Sequence, residues 1–279
     1  MNTFFLDRLN SEPHALAFAG QSTPWPVALA DQSANPALDE ALHTHAAAAQ
    51  ALLYPVSAEL LATTGRPVDL FGFEPNPARL GAAAAASASV PGIALTQLGA
   101  LLDAAALGYN PAQAKPVAVL GHSQGVLAVH MVQAICEAGS IDAAAAKIDE
   151  ILAIATLIGV AGTRQARQLG LAARHGEATP MLSVKDITRA QVDALIERVD
   201  GARGPIAVAV TNSATHYVLS GYPEDLAAFG VEVAKEHKRQ AQLREEKVRG
   251  GRVFNPVLEY LDVTLPFHSP LMADAVSQA

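Results

Sequence analysis

The sequence predicts an α/β protein with a large subdomain built on a parallel sheet and a smaller inserted subdomain. Short apolar runs alternate with helical stretches through residues 1–179, which is the pattern of a parallel sheet. The pentapeptide G-H-S-Q-G at residues 121–125 follows one such run and directly precedes a helix. After residue 180 the order becomes strand, helix, strand, strand, helix, which is typical of a ferredoxin-like split βαβ unit.

The predicted large subdomain comprises residues 1–179 and 248–279. Its helices place apolar residues at helical spacing, and its strands are short apolar runs that end in glycine-containing loops. The predicted elements are a strand at Ala15–Ala19, helices at Asn35–Leu61 and Pro91–Leu107, a strand at Val117–Leu120, and helices at Val126–Ala138 and Asp142–Gly159.

The predicted small subdomain covers residues 180–247, where the composition changes. Its strands are rich in β-branched residues, and its helices are amphipathic. The predicted elements are a strand at Met181–Lys185, a helix at Ile187–Val199, strands at Ile206–Thr211 and Tyr217–Ser220, a helix at Glu224–Lys238, and a closing strand near Leu261–Leu265.

Composition excludes several classes of function. With 279 residues, 51% of them hydrophobic and 16% charged, the chain has ample apolar surface for a sizeable core. A net charge of −8 argues against a nucleic-acid surface, and the single cysteine, Cys136, excludes an internal disulfide. We expect a cytoplasmic protein without a membrane-spanning run, because no apolar run reaches spanning length without charges or turn residues and the N-terminus lacks a signal-peptide core.

Residues Gly121 to Gly125 carry the first candidate for chemistry. In the G-x-S-x-G motif, the glycines allow a tight turn between strand and helix, which lifts the serine hydroxyl clear of the sheet. The first N–H groups of the following helix then point at whatever occupies that oxygen. We therefore predict that Ser123 is a nucleophile; the alternative is an ordinary tight turn that contains a serine.

A serine nucleophile needs a base and donors for the oxyanion. His268 lies between Pro266 and Pro270, in a stiff turn after a β-like run, which suits a base held over a site. Gln21 follows the first strand, so its backbone N–H could join that of Gln124 in an oxyanion hole at the carboxyl ends of parallel strands. The alternatives are a loop histidine and a solvated loop glutamine. The spacing of the histidines predicts no metal site.

Four segments resemble, in the right order, motifs of the acyl-CoA:acyl-carrier-protein transacylases. Longer strings, such as G-H-S-Q-G-V-L-A-V at residues 121–129 and K-V-R-G-G at residues 247–251, are most similar to the first domain of actinobacterial type I fatty acid synthases. That domain is similar to the acetyltransferase domain of fungal synthases. The segments are F-A-G-Q at Phe18–Gln21 (F-x-G-Q-G in the family), the G-H-S-x-G motif, N-S followed by V-L-S-G at Asn212–Gly221 (N-S-P…V-I-S-G), and F-H-S-P-L-M at Phe267–Met272 (F-H-S-P-x-M).

The resemblance implies an α/β-hydrolase-like large subdomain that carries the ferredoxin-like small one. It implies ping-pong acyl transfer with Ser123 as nucleophile, His268 as general base, the backbone amides of Gln21 and Gln124 as oxyanion donors, and Asn212 beside the site. The substrates would be a CoA thioester and an acyl carrier protein, without a cofactor, within a multidomain synthase. The part of the family fold beyond the histidine does not follow in this sequence, so we expect a truncated fold from a longer polypeptide.

The charged residues that follow the elbow predict which acyl group is transferred. Transferases of this family that take malonyl groups use an arginine on the helix after the nucleophile helix, and arginine pairs a carboxylate bidentately. Residues 124–163 contain no arginine, and Ile151–Gly159 is wholly uncharged. Burying an unpaired carboxylate there would be costly, so we predict transfer of an acetyl starter.

Further hypotheses remain open at this point. Lys247 and Arg249 could contact CoA phosphates or an acidic carrier, or they could simply form a solvated charged segment. A malonyl- or palmitoyl-type transferase, a thioesterase or esterase, and an inactive structural fragment of a synthase are the alternative functions. A hydrolase would need an acidic third triad member between Ser123 and His268, and no aspartate follows an obvious strand of the large subdomain.

Overall fold

The structure is a computed structural model, in which the chain divides into two compact units. The first comprises residues 1–163 and the second residues 164–278. The structure describes residues 8–21, 23–62, 70–72, 86–171, 178–200, 202–245 and 254–278.

The first unit contains a two-stranded parallel sheet among its described residues, together with packed helices. Ala15 pairs with Ala118, and Phe18 with Gly121. The helix core centres on fully buried Trp25, which lies so close to Gly92 that an added Cβ would stand 2.5 Å from the indole. The elements are β1 (Ala15–Phe18), α1 (Trp25–Ser33), α2 (Pro36–Ala62), α3 (Ala86–Ala106), α4 (Pro111–Ala114), β2 (Ala118–Gly121), a 3-10 turn (Ser123–Gly125), α5 (Val126–Ala138) and α6 (Ala145–Gln168), whose residues up to Thr163 belong to this unit.

Helix α3 begins five residues before the predicted start at Pro91. Its first turn consists of small buried residues, and the backbone N–H of Ser87 donates to Thr163 Oγ1 at 2.9 Å, which satisfies one first-turn donor. By length and composition α3 could cross a membrane, but 67% of its most apolar window is buried, as in the core helix of a soluble protein. Small-residue packing therefore overrides the tendency of proline to begin the helix.

The second unit is built on a four-stranded antiparallel sheet with the order β4-β5-β3-β6. Helix α7 begins where it does because Thr188 and Gln191 form a capping box. The remaining elements are β3 (Met181–Lys185), α7 (Arg189–Ile196), β4 (Ala207–Ser213), β5 (His216–Ser220), α8 (Pro223–Glu245), β6 (Val257–Tyr260), a 3-10 turn (Pro270–Met272) and α9 (Ala273–Gln278).

The two faces of this sheet differ. Leu182, Val184, Tyr217 and Leu219 point into the larger core, which also contains buried residues of α7 and α8. The opposite face, which we call the second face, carries a smaller apolar cluster of three buried residues with Phe267 packed against it. The buried residues of this cluster are Met181, Val218 and Val263.

The prediction of the α/β class is confirmed, and most elements lie where the periodicity placed them. The closing strand is an exception: it is Val257–Tyr260, which pairs with β3, and not Leu261–Leu265. The predicted segment instead turns away after Leu261, whose N–H donates to Met181 O at 3.0 Å. The prediction for the helix after α5 is also wrong at its end, because α6 continues past Gly159 to Gln168.

The division between the units differs from the predicted boundaries of 1–179 with 248–279 and 180–247. It falls after residue 163, and the described residues 254–278 lie in the second unit. Pairing of β6 with β3 explains the second difference, since a strand hydrogen-bonded along β3 is counted with that sheet.

Glu236 gives the second unit a pH-dependent contribution to stability. Arg239 Nη2, Gln240 Nε2 and Arg198 Nη1 donate to its carboxylate at 2.5, 2.8 and 2.9 Å. These bonds, chiefly the one from Arg239, lower the pKa of Glu236 from 4.5 to about 2. Because the folded-state pKa is depressed, the contribution is complete above pH 4.5 and is lost as the pH falls toward 2.

We expect Glu236→Gln to lower the free energy of unfolding at neutral pH by about 1–2 kcal/mol, since the arginine partners are half exposed and screened. Urea unfolding of variant and wild type from neutral pH to about pH 2 should show this difference shrinking towards zero. Glu150→Gln, which removes an exposed ion pair with Lys147, is the matched control and should change little at any pH. If the free energies of unfolding of Glu236→Gln and the wild type differed equally at every pH, the lowered pKa of Glu236 would not explain the stability.

Candidate active site

The turn that carries Ser123 has the geometry of a nucleophile elbow. Strand β2 ends at Gly121, a 3-10 turn spans Ser123–Gly125, and α5 follows at Val126. Ser123 has a φ of 52°, in the left-handed region that non-glycine residues rarely adopt. An added Cβ at Gly121 would stand 2.5 Å from the backbone nitrogen of Val126, so only glycine fits there. The strand–turn–helix prediction is confirmed, with β2 running from Ala118 to Gly121.

The loop after β1 lies directly against this turn. The N–H of His122 donates to Phe18 O at 2.9 Å. An added Cβ at Gly20 would stand 2.6 Å from His122 O and 3.1 Å from Ser123 Cβ, and one at Gly125 would overlap Phe18 O. The two loops are therefore in backbone contact, and glycine at positions 20 and 125 is what permits it.

Side-chain amides connect the same two loops. Gln21 Nε2 donates to Gln124 Oε1, and Gln124 Nε2 donates to Val90 O of α3 at 2.5 Å. Gln97, also on α3, donates through Nε2 to Ala19 O at 2.7 Å. This chain of amides holds the two residues predicted to form the oxyanion hole beside one another. No sequence signal points to it, because neither Val90 nor Gln97 belongs to a recognisable motif.

His268 lies in the second unit, in a turn with its own backbone constraint. Its φ is 56°, and the hydroxyl of the next residue, Ser269, donates to Pro266 O at 2.6 Å. Gln165 Nε2 donates to Leu271 O at 2.8 Å. The preceding Phe267 packs on the second face of the small sheet, while His268 itself is exposed. The turn thus presents the imidazole rather than burying it.

Asn212 lies on β4 in the same unit. Its Nδ2 is 3.4 Å from His216 Nε2, and Ser183 Oγ lies 3.1 Å from the same nitrogen. Asn212 is exposed, whereas Ser183 is buried. The sequence points to Asn212 but not to His216 or Ser183, which lie four residues along the chain and on a different strand.

The structure thus groups the candidates by unit. Ser123, Gln21 and Gln124 come together in the first, while His268 and Asn212 belong to the second. The pairing of Ser123 with His268 stays a prediction. Lys247 and Arg249 lie outside the described residues. No group of three or more potential metal-binding side chains occurs among the residues that the structure describes.

Helix α6 is longer than predicted, and this bears on the prediction that it offers no arginine to pair with a malonyl carboxylate. Arg164 and Arg167 lie on this helix, beyond its predicted end, and both are exposed. They fall in the last turns of α6, after the residues that belong to the first unit. Within that first part the lysine at 147 is the one cation, and it pairs with Glu150 at 2.6 Å.

A cavity of about 440 Å³ lies elsewhere in the first unit, beside α1 and α2. His43 and Phe71, which stack with ring centroids 3.6 Å apart, line part of it, as does Asp39. None of its lining residues belongs to the elbow or to the loop after β1. The cavity is therefore not part of the candidate active site.

Solved structures share the fold of this chain. The malonyl CoA-acyl carrier protein transacylase from Clostridium perfringens aligns with a TM-score of 0.56 and 17% identity, covering 95% of this chain and 66% of that one. The corresponding enzyme from Coxiella burnetii aligns with a TM-score of 0.55 and 19% identity, over 95% and 66% of the two chains. The chain has an acyltransferase fold, with helices around a parallel sheet.

Comparisons of sequence show similarity to fatty acid synthases. Residues 180–260 match the family described as the fatty acid synthase central AT domain. The fatty acid synthase subunit beta of Schizosaccharomyces pombe is 27% identical over 206 residues, which is 67% of this chain and 10% of that protein. The chain thus spans about a tenth of the length of the curated relatives it matches. These findings confirm its resemblance to the acyl-CoA:acyl-carrier-protein transacylases, including those of fungal synthases.

We expect Gly20→Ala to separate the loop after β1 from the elbow, since its methyl group would meet His122 O. The variant should lose about 1–3 kcal/mol of unfolding free energy, the usual penalty for overpacking. Amide exchange at His122, whose N–H donates to Phe18 O, should accelerate. Gly108→Ala is the control: its φ of 93° brings backbone strain but nothing lies within 4 Å, so exchange at His122 should not respond. Unchanged exchange in Gly20→Ala would refute the contact.

Proposed function

We propose that this chain is the acetyltransferase of a fatty acid synthase and moves an acetyl starter from CoA to the phosphopantetheine thiol of an acyl carrier protein. The observation that carries the proposal is Ser123, held at a φ of 52° at the end of β2 beside the Gln21–Gln124 pair. Strain of this kind in a strand–turn–helix junction is characteristic of a nucleophilic serine.

The reaction has two balanced halves. Ser123 Oγ attacks the thioester carbonyl while His268 takes its proton; the C–S bond then breaks, and the imidazolium returns the proton to the departing CoA thiolate. In the second half, the carrier thiol gives its proton to His268 and attacks the acyl-serine carbonyl; the C–O bond to Ser123 then breaks, and the imidazolium returns the proton to Ser123 Oγ. The mechanism needs no resident cofactor.

Two backbone N–H groups would stabilise the negative charge that develops on the thioester carbonyl oxygen. The first backbone hydrogen bond of the 3-10 turn runs from the N–H of Gly125 to His122 O at 2.9 Å. The N–H of Gln124 comes one residue before that bond, so it points towards the start of the turn. The loop of Gln21 lies against it, and an added Cβ at Gly20 would be 3.4 Å from Gln124 N. Donors already fixed in this way stabilise an oxyanion without reorganising.

The proposed domain arrangement is an α/β-hydrolase-like part that carries a ferredoxin-like part. Support for the latter comes from the βαββαβ order of the second unit and its antiparallel sheet order β4-β5-β3-β6. The likeness to the first domain of actinobacterial synthases and the cytoplasmic location stay predictions. So do contacts of Lys247 and Arg249 with CoA phosphates or the carrier, and association with the other synthase domains.

Preference for acetyl over malonyl rests on the charge of α6. Its part within the first unit offers no cation beyond Lys147, while Ile154 and Ile158 expose apolar side chains from the same stretch. A malonyl carboxylate placed there would lose hydration without gaining a partner, at a cost of several kcal/mol. The acetyl methyl group loses nothing. This contrast is the physical basis of the proposed selectivity.

Incubation with acetyl-CoA should add one acetyl group to Ser123, detected by intact mass and peptide mapping, at a rate about a hundredfold greater than with malonyl-CoA. Ser123→Ala should abolish labelling, whereas Ser140→Ala, a serine that caps the turn before α6, should not. Efficient malonylation of Ser123 would overturn the acetyl assignment while leaving acyl transfer intact. No labelling with either thioester would favour the inactive structural fragment.

Transfer and hydrolysis are separated by the fate of the acyl group. We expect the acetyl-enzyme to pass its acetyl group to pantetheine faster than to water, and His268→Ala to slow both halves by about 10²–10⁴-fold. Free acetate as the main product, with or without pantetheine, would favour a thioesterase or esterase. An unchanged rate in His268→Ala would remove this residue from the mechanism.

A further inference from the structure

The peptide bond between Gly20 and Gln21 carries one of the two N–H groups proposed as oxyanion donors. A trans peptide is planar, and its C=O and N–H bonds point in opposite directions. The direction of the Gly20 carbonyl therefore sets the direction of the Gln21 N–H. Among the described residues, no backbone carbonyl accepts a hydrogen bond from this N–H, so the fold does not use it for its own support.

The hydroxyl group of Thr23 holds the Gly20 carbonyl. Thr23 Oγ1 donates to Gly20 O at 2.6 Å, three residues back along the loop. Thr23 is fixed in turn from the helix core, because its own carbonyl accepts the N–H of fully buried Trp25 at 2.8 Å. The Gly20 carbonyl thus has a partner on one side of the loop, and the Gln21 N–H is directed to the opposite side.

Glycine at position 20 makes such a hydrogen bond necessary. The close approach of the elbow excludes a side chain there, since an added Cβ would stand 2.6 Å from His122 O. Glycine restricts its φ and ψ less than any other residue, so the peptides on both sides of it can turn at little cost. Both peptides are held by side chains: Gln97 Nε2 donates to Ala19 O at 2.7 Å, and Thr23 Oγ1 donates to Gly20 O.

The loop lies against the elbow at this same peptide. An added Cβ at Gly20 would be 3.1 Å from Ser123 Cβ and 3.4 Å from Gln124 N. The side chain of Gln21 also reaches the elbow, where its Nε2 donates to Gln124 Oε1. A donor held here lies beside the N–H of Gln124, which is the arrangement that the proposed oxyanion hole requires.

We propose that Thr23 is a positioning residue, whose hydroxyl group aims the Gln21 N–H at the developing oxyanion by holding the Gly20 carbonyl on the other side. This inference rests on the proposed function and deepens it. Thr23 acts through the peptide and not through contact with the thioester. An N–H that is aimed before the substrate binds stabilises the transition state more than the ground state, in which the carbonyl oxygen carries less charge.

The test compares Thr23→Val, which keeps the branched shape without the hydroxyl group, with Thr23→Ser, which keeps the hydroxyl group. In single-turnover acetylation of Ser123, Thr23→Val should lower the maximal rate by at least about tenfold, towards the roughly 10²–10³-fold effect of losing an oxyanion donor. The acetyl-CoA concentration that gives half this rate should change by less than about twofold, since binding of the ground state is unaffected. Thr23→Ser should restore the rate to nearly that of the wild type.

Thr44→Val is the matched control. Thr44 Oγ1 donates to Glu40 O at 2.8 Å within α2, so this substitution removes the same kind of hydrogen bond from a helix, and the acetylation rate should not change. A wild-type rate in Thr23→Val would overturn the inference. So would an equal loss in Thr23→Ser, or a rise in the half-saturating concentration without a fall in the maximal rate.

Crystal structures of the wild type and Thr23→Val separate this inference from the proposed function. The Gly20–Gln21 peptide should keep one orientation in the wild type and should turn, or take two orientations, in the variant. If the wild type does not acetylate Ser123, the acyl-transfer proposal fails, while the orientation of this peptide still decides whether Thr23 positions it. If Ser123 is acetylated normally and the peptide is unchanged in Thr23→Val, only the positioning inference fails.

Discussion

The backbone contact between the end of β1 and the turn after β2 is the constraint on which the candidate site depends. His122 N donates to Phe18 O at 2.9 Å, and the two loops approach too closely for any side chain at Gly20 or Gly125. This contact keeps Ser123 in a backbone region that costs about 1–3 kcal/mol. Because the strain is held by backbone and not by a ligand, the hydroxyl and the neighbouring N–H groups are arranged before any thioester binds, which is what electrostatic preorganisation requires.

In the second unit, the two faces of the sheet have different surroundings. One face of its sheet packs into the core beneath α7 and α8, and the other packs into the smaller cluster that Phe267 contacts, next to His268. The non-glycine residues with positive φ in the described ranges are Lys115, Ser123, Asp186 and His268. Two of these four are the predicted nucleophile and base, and backbone strain of this kind persists only where the surroundings enforce it. The strain does not depend on the sequence motifs, so it is a separate reason to assign function to these two residues.

Sequence patterns predict what depends on local periodicity. Strand β3 and helix α5 are predicted at Met181–Lys185 and Val126–Ala138, where the structure has them. Both have a clear apolar pattern, and glycines at 125 and 139 bound the helix. The prediction for the fourth small-subdomain strand is wrong because Val257–Tyr260 is an edge strand of only four residues, too short for its periodicity to be distinctive, and it is selected by pairing with β3. The Gln21–Gln124–Val90 amide chain and the His216–Ser183 contact join residues distant in sequence, so no spacing rule could reveal them.

Recognition of the pantetheine arm and choice of acyl group must reside in different parts of the molecule. The arm is the same in acetyl-CoA, malonyl-CoA and the carrier, so a contact with the arm strengthens binding of all three alike and cannot discriminate between them. Such uniform binding lowers KM without raising kcat. Discrimination has to come from groups that meet the acyl carbons, and in the proposed function these include α6, which carries no charge between Ile151 and Thr163. A substitution that affects only contacts with the arm should therefore change how tightly a thioester binds and leave its acyl preference alone, whereas in the proposed function a cation introduced along α6 should do the reverse.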